Sequence, residues 1–192
     1  MSEQVTDPPA ELTGGEPAPA AGRGGAARDA LVVLGSFLAL GVVCGVLWWL
    51  LVDPAEFTKV GAGGAMGEVQ LGRRFDADGW YVVLAALGGV LAGGALTWWR
   101  SRDYLLTTGL LVLGSALAAL VMAYVGGVLG PGDPNAALAA APLGAHVPVQ
   151  LKVAAQLTVA HVPFSTVYLA WPVAVLAGSL MVLWSKPLEP EL

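Results

Sequence analysis

Charge is scarce in this chain: only 12% of its 192 residues are Asp, Glu, Lys or Arg. Soluble domains carry roughly 25%, so an ordinary cytosolic globule is a poor description. Cysteine is scarcer still. Cys44 stands alone, which excludes an intrachain disulfide scaffold and a thiol–disulfide oxidoreductase, since both need a pair. An excess of cations is lacking too: nine Lys and Arg against fourteen Asp and Glu give −5, the wrong sign for a nucleic-acid binder. Ile is absent, Asn135 is the single Asn, and Lys occurs only at 59, 152 and 186. These are residues with A/T-rich codons, so the bias points to a GC-rich genome rather than to physics.

What is abundant is apolar surface, with a mean hydropathy of +0.71. Four stretches, 30–52, 79–99, 104–130 and 164–185, contain no Asp, Glu, Lys, Arg or His. A spanning helix needs about 20 apolar residues to cross ~30 Å of hydrocarbon, and all four meet that length. Backbone amides in lipid must be satisfied within their own segment. The expected fold class is therefore membrane all-α: a four-transmembrane-helix bundle over residues 30–185. The third stretch is the longest and is expected to tilt or project.

The first stretch does not read as a cleaved signal, whose apolar core is about 7–15 residues behind a short basic start. Residues 1–29 hold four Pro and five Gly with five acids against Arg23 and Arg28. Such a composition cannot bury enough apolar area to offset its ordering entropy, so a disordered tail is expected there. A second, short tail follows at 186–192.

Orientation follows from the placement of Lys and Arg. With the N-terminus inside, segments 1–29, 100–103 and 186–192 carry five cations in 40 residues, against four in 59 for loops 53–78 and 131–163. The turn Arg100-Ser101-Arg102-Asp103 decides it, being half arginine between two spans. Trp48, Trp49, Trp80 and Tyr81 mark the outer interface; Trp98, Trp99, Tyr104 and Trp184 mark the inner one. Both termini are expected in the cytoplasm and the protein in the plasma membrane.

Small residues recur at i, i+4 in every span, as close helix packing in lipid requires: Gly41 and Gly45; Ala85, Gly89 and Gly93; Ser115, Ala119, Ala123 and Gly127; Ala170, Ala174 and Gly178. Internal packing is the expected use, and a homo-oligomer interface the alternative. Pro172 should bend the fourth span by removing the amide that would bond the Tyr168 carbonyl. Intramembrane ionisable residues, the usual mark of ion paths, are missing from the four stretches, and no internal repeat is evident. A self-contained pump or secondary transporter is disfavoured.

The outward loops carry strand patterns. Glu56–Val60, a Gly-rich turn, and Met66–Leu71 read as a β-hairpin. Val147, Val149, Leu151 and Val153 alternate with polar residues, with Gln156–His161 as a return strand and Pro148 placing the first strand at an edge. Asp133 followed by Pro134 is a helix start signal. A small extracytoplasmic β layer built from both loops, capping the bundle, is expected.

Candidate chemistry is thin. His146, His161, Glu68, Asp76 and Asp78 match no metal-ligand spacing. Asp76 and Asp78 are an acid pair on paper, but Asp78 is better placed as N-cap of the second span. Arg73 and Arg74 can pair with these acids or with lipid phosphates. No Ser/His/Asp arrangement, phosphate-cradling Gly loop or Cys/His cluster is present. No catalytic, cofactor-binding or metal residue and no cofactor is therefore expected.

Leu47-Trp48-Trp49-Leu50, Phe75-Asp76-Ala77-Asp78-Gly79-Trp80, Leu129-Gly130-Pro131-Gly132-Asp133-Pro134 and Trp171-Pro172-Val173-Ala174, with Arg100 and Arg102, form a recognisable set. Together they resemble a family of small actinobacterial membrane proteins, a domain of unknown function with four spans and a long outer segment after the first. The resemblance covers about residues 30–185, and the segment between Lys152 and Trp171 is longer here. It implies lineage, topology and plasma-membrane location, and carries no catalytic residue. The expected function is a non-enzymatic component of an envelope or membrane assembly, whose partners are the lipid bilayer and a membrane or extracytoplasmic protein, with no nucleic acid. The alternatives are a channel or permease subunit and, last, an enzyme using the outward acids on lipid or cell-wall substrates.

Overall fold

The computed structural model describes residues 23–99, 104–153, 157–159 and 162–185. The readings made for residues 1–22, the Arg100–Asp103 turn, Gln156, His161 and 186–192 lie outside the described residues. The elements run α1 (Arg23–Leu51), β1 (Glu56–Val60), β2 (Gly63–Ala65), α2 (Glu68–Trp99), α3 (Tyr104–Leu129), α4 (Pro134–Ala140), β3 (His146–Pro148), β4 (Leu157–Val159), β5 (Val162–Phe164) and, after a 3-10 turn at Thr166–Leu169, α5 (Ala170–Ser185). Helices α1, α2 and α3 and the run Thr166–Ser185 are long and apolar enough to cross a membrane. Their outer faces carry exposed leucines such as Leu31, Leu91, Leu113 and Leu180, the surface a hydrocarbon solvent requires.

Helices adjacent in sequence run antiparallel: the Trp48 indole Nε1 donates to the Ala77 carbonyl at 2.8 Å, and Cys44 of α1 faces Leu84 of α2. The closest packing is nevertheless between alternate helices. Gly41 meets Ala118, Gly45 meets Met122 and Val125, and Gly126 meets Trp48, so α1 and α3 lie parallel. Likewise Gly88 meets Trp171, Gly89 meets Ala174, and Gly93 meets Val175, so α2 and α5 lie parallel. The glycines let the backbones touch, as in small-xxx-small pairs. The rows expected to pack internally do so at these positions.

The contacts at the α2–α5 crossing are reciprocal: Gly93 faces the Val175 carbonyl, and Gly178 faces the Val90 carbonyl. Shifting every number by 85 exchanges the two contacts. The sequence follows the same shift, since Val90-Leu91-Ala92-Gly93 reappears as Val175-Leu176-Ala177-Gly178. Helices α1 and α2 form one helix–loop–helix half and α3 and α5 the other, and the two halves meet along α1–α3 and α2–α5.

The cap also joins the two halves. β1 of the first half pairs antiparallel with β3 of the second, Phe57 opposite Val147, giving a sheet of order β2-β1-β3. Both loops therefore build one layer, as expected, and Pro148 sits on an edge strand. The ladder continues one residue further through the Val149 amide to the Ala55 carbonyl at 2.7 Å. Helix α4 is capped by Asp133, whose side chain accepts from the Asn135 amide, with Pro134 in the first turn. Its buried Leu138 packs beneath Gly64 of the sheet.

Several boundaries differ from expectation. The hairpin's second strand is Gly63–Ala65, not Met66–Leu71, because a two-residue turn with Gly61 at φ +56° closes the register at Val60 opposite Gly63. Met66 and Gly67 then lead into α2, with the Leu71 amide on the Gly67 carbonyl at 3.0 Å. Four alternating residues do not separate a strand from the first turn of a helix. Asp78 consequently lies inside α2 and is not its N-cap. The strand at Val147 ends at Pro148, and Leu157–Val159 returns not onto it but onto β5 in a separate two-stranded sheet. Residues 23–29 are helical, extending α1 ahead of the span. Pro172 falls in the first turn of α5, behind the 3-10 turn, where no intrahelical amide is lost; the expected kink becomes a change of helix type.

Candidate functional site

The interior is filled. Trp48, Trp171, Tyr81 and Phe37 are fully buried. Trp48 and Tyr81 meet edge to face, with centroids 5.3 Å apart, and Tyr168 follows at 6.1 Å from Tyr81. The Tyr81 hydroxyl donates to the Ala119 carbonyl of α3 at 2.7 Å, linking the two halves. Trp48 and Tyr81, expected at the interface, are instead core residues. Their polar tips reach backbone carbonyls, which is how aromatic groups with one donor are buried. Near the other end of the bundle, Thr97 donates to Ser179 at 3.0 Å and Ser179 to the Val175 carbonyl at 2.9 Å. Ser36 and Ser115 likewise bond carbonyls of their own helices. The Trp171 indole Nε1 is the one described buried side-chain polar atom with no partner. Cys44 is buried between helices and plays a packing role.

No group of three or more His, Cys, Asp or Glu side chains converges among the described residues. His146 lies 3.7 Å from Glu56 and 3.5 Å from Thr58 across the β1–β3 pair. The acid pair is split as well. Asp76 lines a cleft of ≈ 200 Å³ with Asp53, Arg73 and Trp80, whereas Asp78 is an electrostatic neighbour of Tyr168.

Three clefts lie at the cap end, where α2 is longer than a bilayer's hydrocarbon is thick. Its 32 residues extend about 48 Å at 1.5 Å each, roughly 18 Å more than the hydrocarbon thickness. That surplus is about twelve residues, matching the charged run from Glu68 to Asp78 ahead of Trp80. The overhang is pinned by Gln70, whose Oε1 accepts from the Glu56 amide at 2.9 Å, and by Trp48 at Ala77. A second cleft, ≈ 300 Å³, is lined by Trp49, Val52, Pro54, Leu129, Gly130, Pro131 and Leu151. A third lies between α2 and the chain after β3, lined by Pro54, Ala55, Arg73, Arg74, Ala77 and Val149–Lys152. Leu151, buried against Gly127 of α3 and Gly130 just beyond it, holds that chain in place.

Sequence reading missed the overhang because Asp78 marked the start of the apolar run rather than of the helix. The available signal was Glu68 ahead of Arg73 and Arg74, a first-turn acid favoured by the helix dipole. No protein family, curated protein or solved structure matches this chain.

Proposed function

We propose that this chain is a plasma-membrane protein with both termini in the cytoplasm, acting without catalysis as an accessory component of an envelope assembly and presenting its β cap to an extracytoplasmic or membrane partner. The observation that carries this reading is the contrast between the two regions. The bundle interior is closed by Trp, Tyr and touching glycines. The cap combines clefts with strands β2 and β3, each with one edge unpaired among the described residues, where a further strand could add. The lineage implied by the actinobacterial resemblance belongs to the same proposal.

Purification of the tagged full chain from its native cells in mild detergent, with mass spectrometry of what accompanies it, tests the reading. A stoichiometric partner released by Gly64→Pro, which removes an amide from β2, is the expected result. Gly63→Cys should also react with a membrane-impermeant maleimide on intact cells. Absence of any partner, with no labelling before lysis, would overturn both role and orientation. The second reading is a channel or permease subunit acting with a partner or as an oligomer. Ion or solute flux through proteoliposomes of the purified chain would favour it.

A further inference from the structure

The two outward loops carry four cations, Lys59, Arg73, Arg74 and Lys152. Three of them, Arg73, Arg74 and Lys152, come from two separate elements to line the single groove between the α2 overhang and Val149–Lys152, and no carboxylate lines it. Arg73 also lines the neighbouring cleft that holds Asp53 and Asp76. Like charges brought together repel, and an anion between them relieves that repulsion. Guanidinium groups suit a phosphate in particular, since their planar forks match its oxygens in pairs.

The position selects the source of the phosphate. Arg73 and Arg74 stand six or seven residues ahead of Trp80, about 10 Å along the helix. That is the depth of the headgroup layer when Trp80 marks the edge of the hydrocarbon. On the helical wheel Arg74 lies between the inward Ala77 and the exposed Leu71 and Phe75, so the groove opens beside apolar side chains rather than into bulk water. The groove is open on one side and has room for about one water-sized group, ≈ 20 Å³. A phosphate oxygen enters there while the ester and acyl chains stay outside along Leu71 and Phe75.

We propose that Arg73, Arg74 and Lys152 form a binding site for the phosphate of an anionic lipid in the leaflet beneath the cap. The proposal rests on the membrane reading above and is independent of whether a protein partner exists. The full chain in a neutral detergent is mixed with phosphatidylglycerol, phosphatidylcholine or inorganic phosphate, and bound adducts are counted by native mass spectrometry. The expected result is one phosphatidylglycerol retained at least about ten-fold better than phosphatidylcholine. Each cation near an anionic lipid contributes about a five-fold factor. Arg74→Gln should therefore weaken retention about five-fold and the triple Arg73→Gln/Arg74→Gln/Lys152→Gln about 100-fold, with Lys59→Gln unchanged.

Equal retention of the two lipids by the wild-type chain would overturn the site, and this comparison needs no variant to fold. Phosphatidylglycerol binding that survives in a folded triple variant would overturn it also. Displacement of the lipid by millimolar inorganic phosphate, with no lipid preference left, would assign the groove to a free phosphate instead. A failed search for protein partners would leave all of these results standing.

Discussion

Replacing Gly93 by alanine places a methyl carbon 2.8 Å from the Val175 carbonyl carbon and closer still to its oxygen. The obstacle is backbone, so no side chain can swing aside, and α2 and α5 must separate by about an ångström. Overpacking of this kind costs about 1–3 kcal/mol. The separation also stretches the Thr97–Ser179 bond of 3.0 Å, and an interhelical bond in a membrane contributes about 0.6 kcal/mol. The expected loss is about 2–3 kcal/mol. At about 2–4 °C per kcal/mol for a chain of this size, the unfolding midpoint should fall by roughly 4–12 °C. Cys44, buried and the single thiol, provides the assay: a thiol-reactive dye added to the detergent-solubilised protein fluoresces only when the bundle opens. Gly178→Ala should cost the same, because its methyl meets Val90 as Gly93's meets Val175. The double variant should cost clearly less than the sum, since the first substitution has already parted the helices. Gly109→Ala, with nothing within 4 Å, is the control and should be neutral or slightly stabilising. A Gly93→Ala midpoint equal to that control, or strict additivity of the pair, would refute the close contact of α2 with α5.

Two further outcomes follow from single hydrogen bonds. Tyr81→Phe removes the 2.7 Å bond to the Ala119 carbonyl while keeping the ring packed on Trp48, so the same thiol assay should show a loss of about 0.6–1.7 kcal/mol; no loss would mean the halves are held by packing alone. Asp133→Ala removes the cap of α4 at about 1 kcal/mol. Hydrogen exchange should then rise over Pro134–Ala140 and the adjoining β3, with the spans unchanged.

The helical spans and their number were legible in the sequence because the bilayer imposes one strong rule, about 20 uncharged residues per crossing, and four stretches obey it. The short helix at Asp133-Pro134 was legible for a different reason: its cap and its first residue are set by local chemistry. Strand pairing within the cap was legible only as a pattern. Val147 alternates whether or not a partner is present, and that it lies opposite Phe57 depends on a contact between distant loops. The groove of Arg73, Arg74 and Lys152 was hidden for the same reason, since Lys152 is remote in sequence from both arginines.

By itself, then, the sequence determines where apolar length and local caps must put helices, because those terms act within one segment. Tertiary structure decides which helices touch. The tightest contacts join α1 with α3 and α2 with α5, where glycines on both sides let carbonyls approach. Close packing between helices in lipid depends on the fit of two surfaces at once, and neither surface alone specifies its partner. The start of α2 was decided in the same way: Glu68–Asp78 is too polar to cross a membrane, and it stands as a helix because Gln70 and Ala77 are bonded to β1 and Trp48.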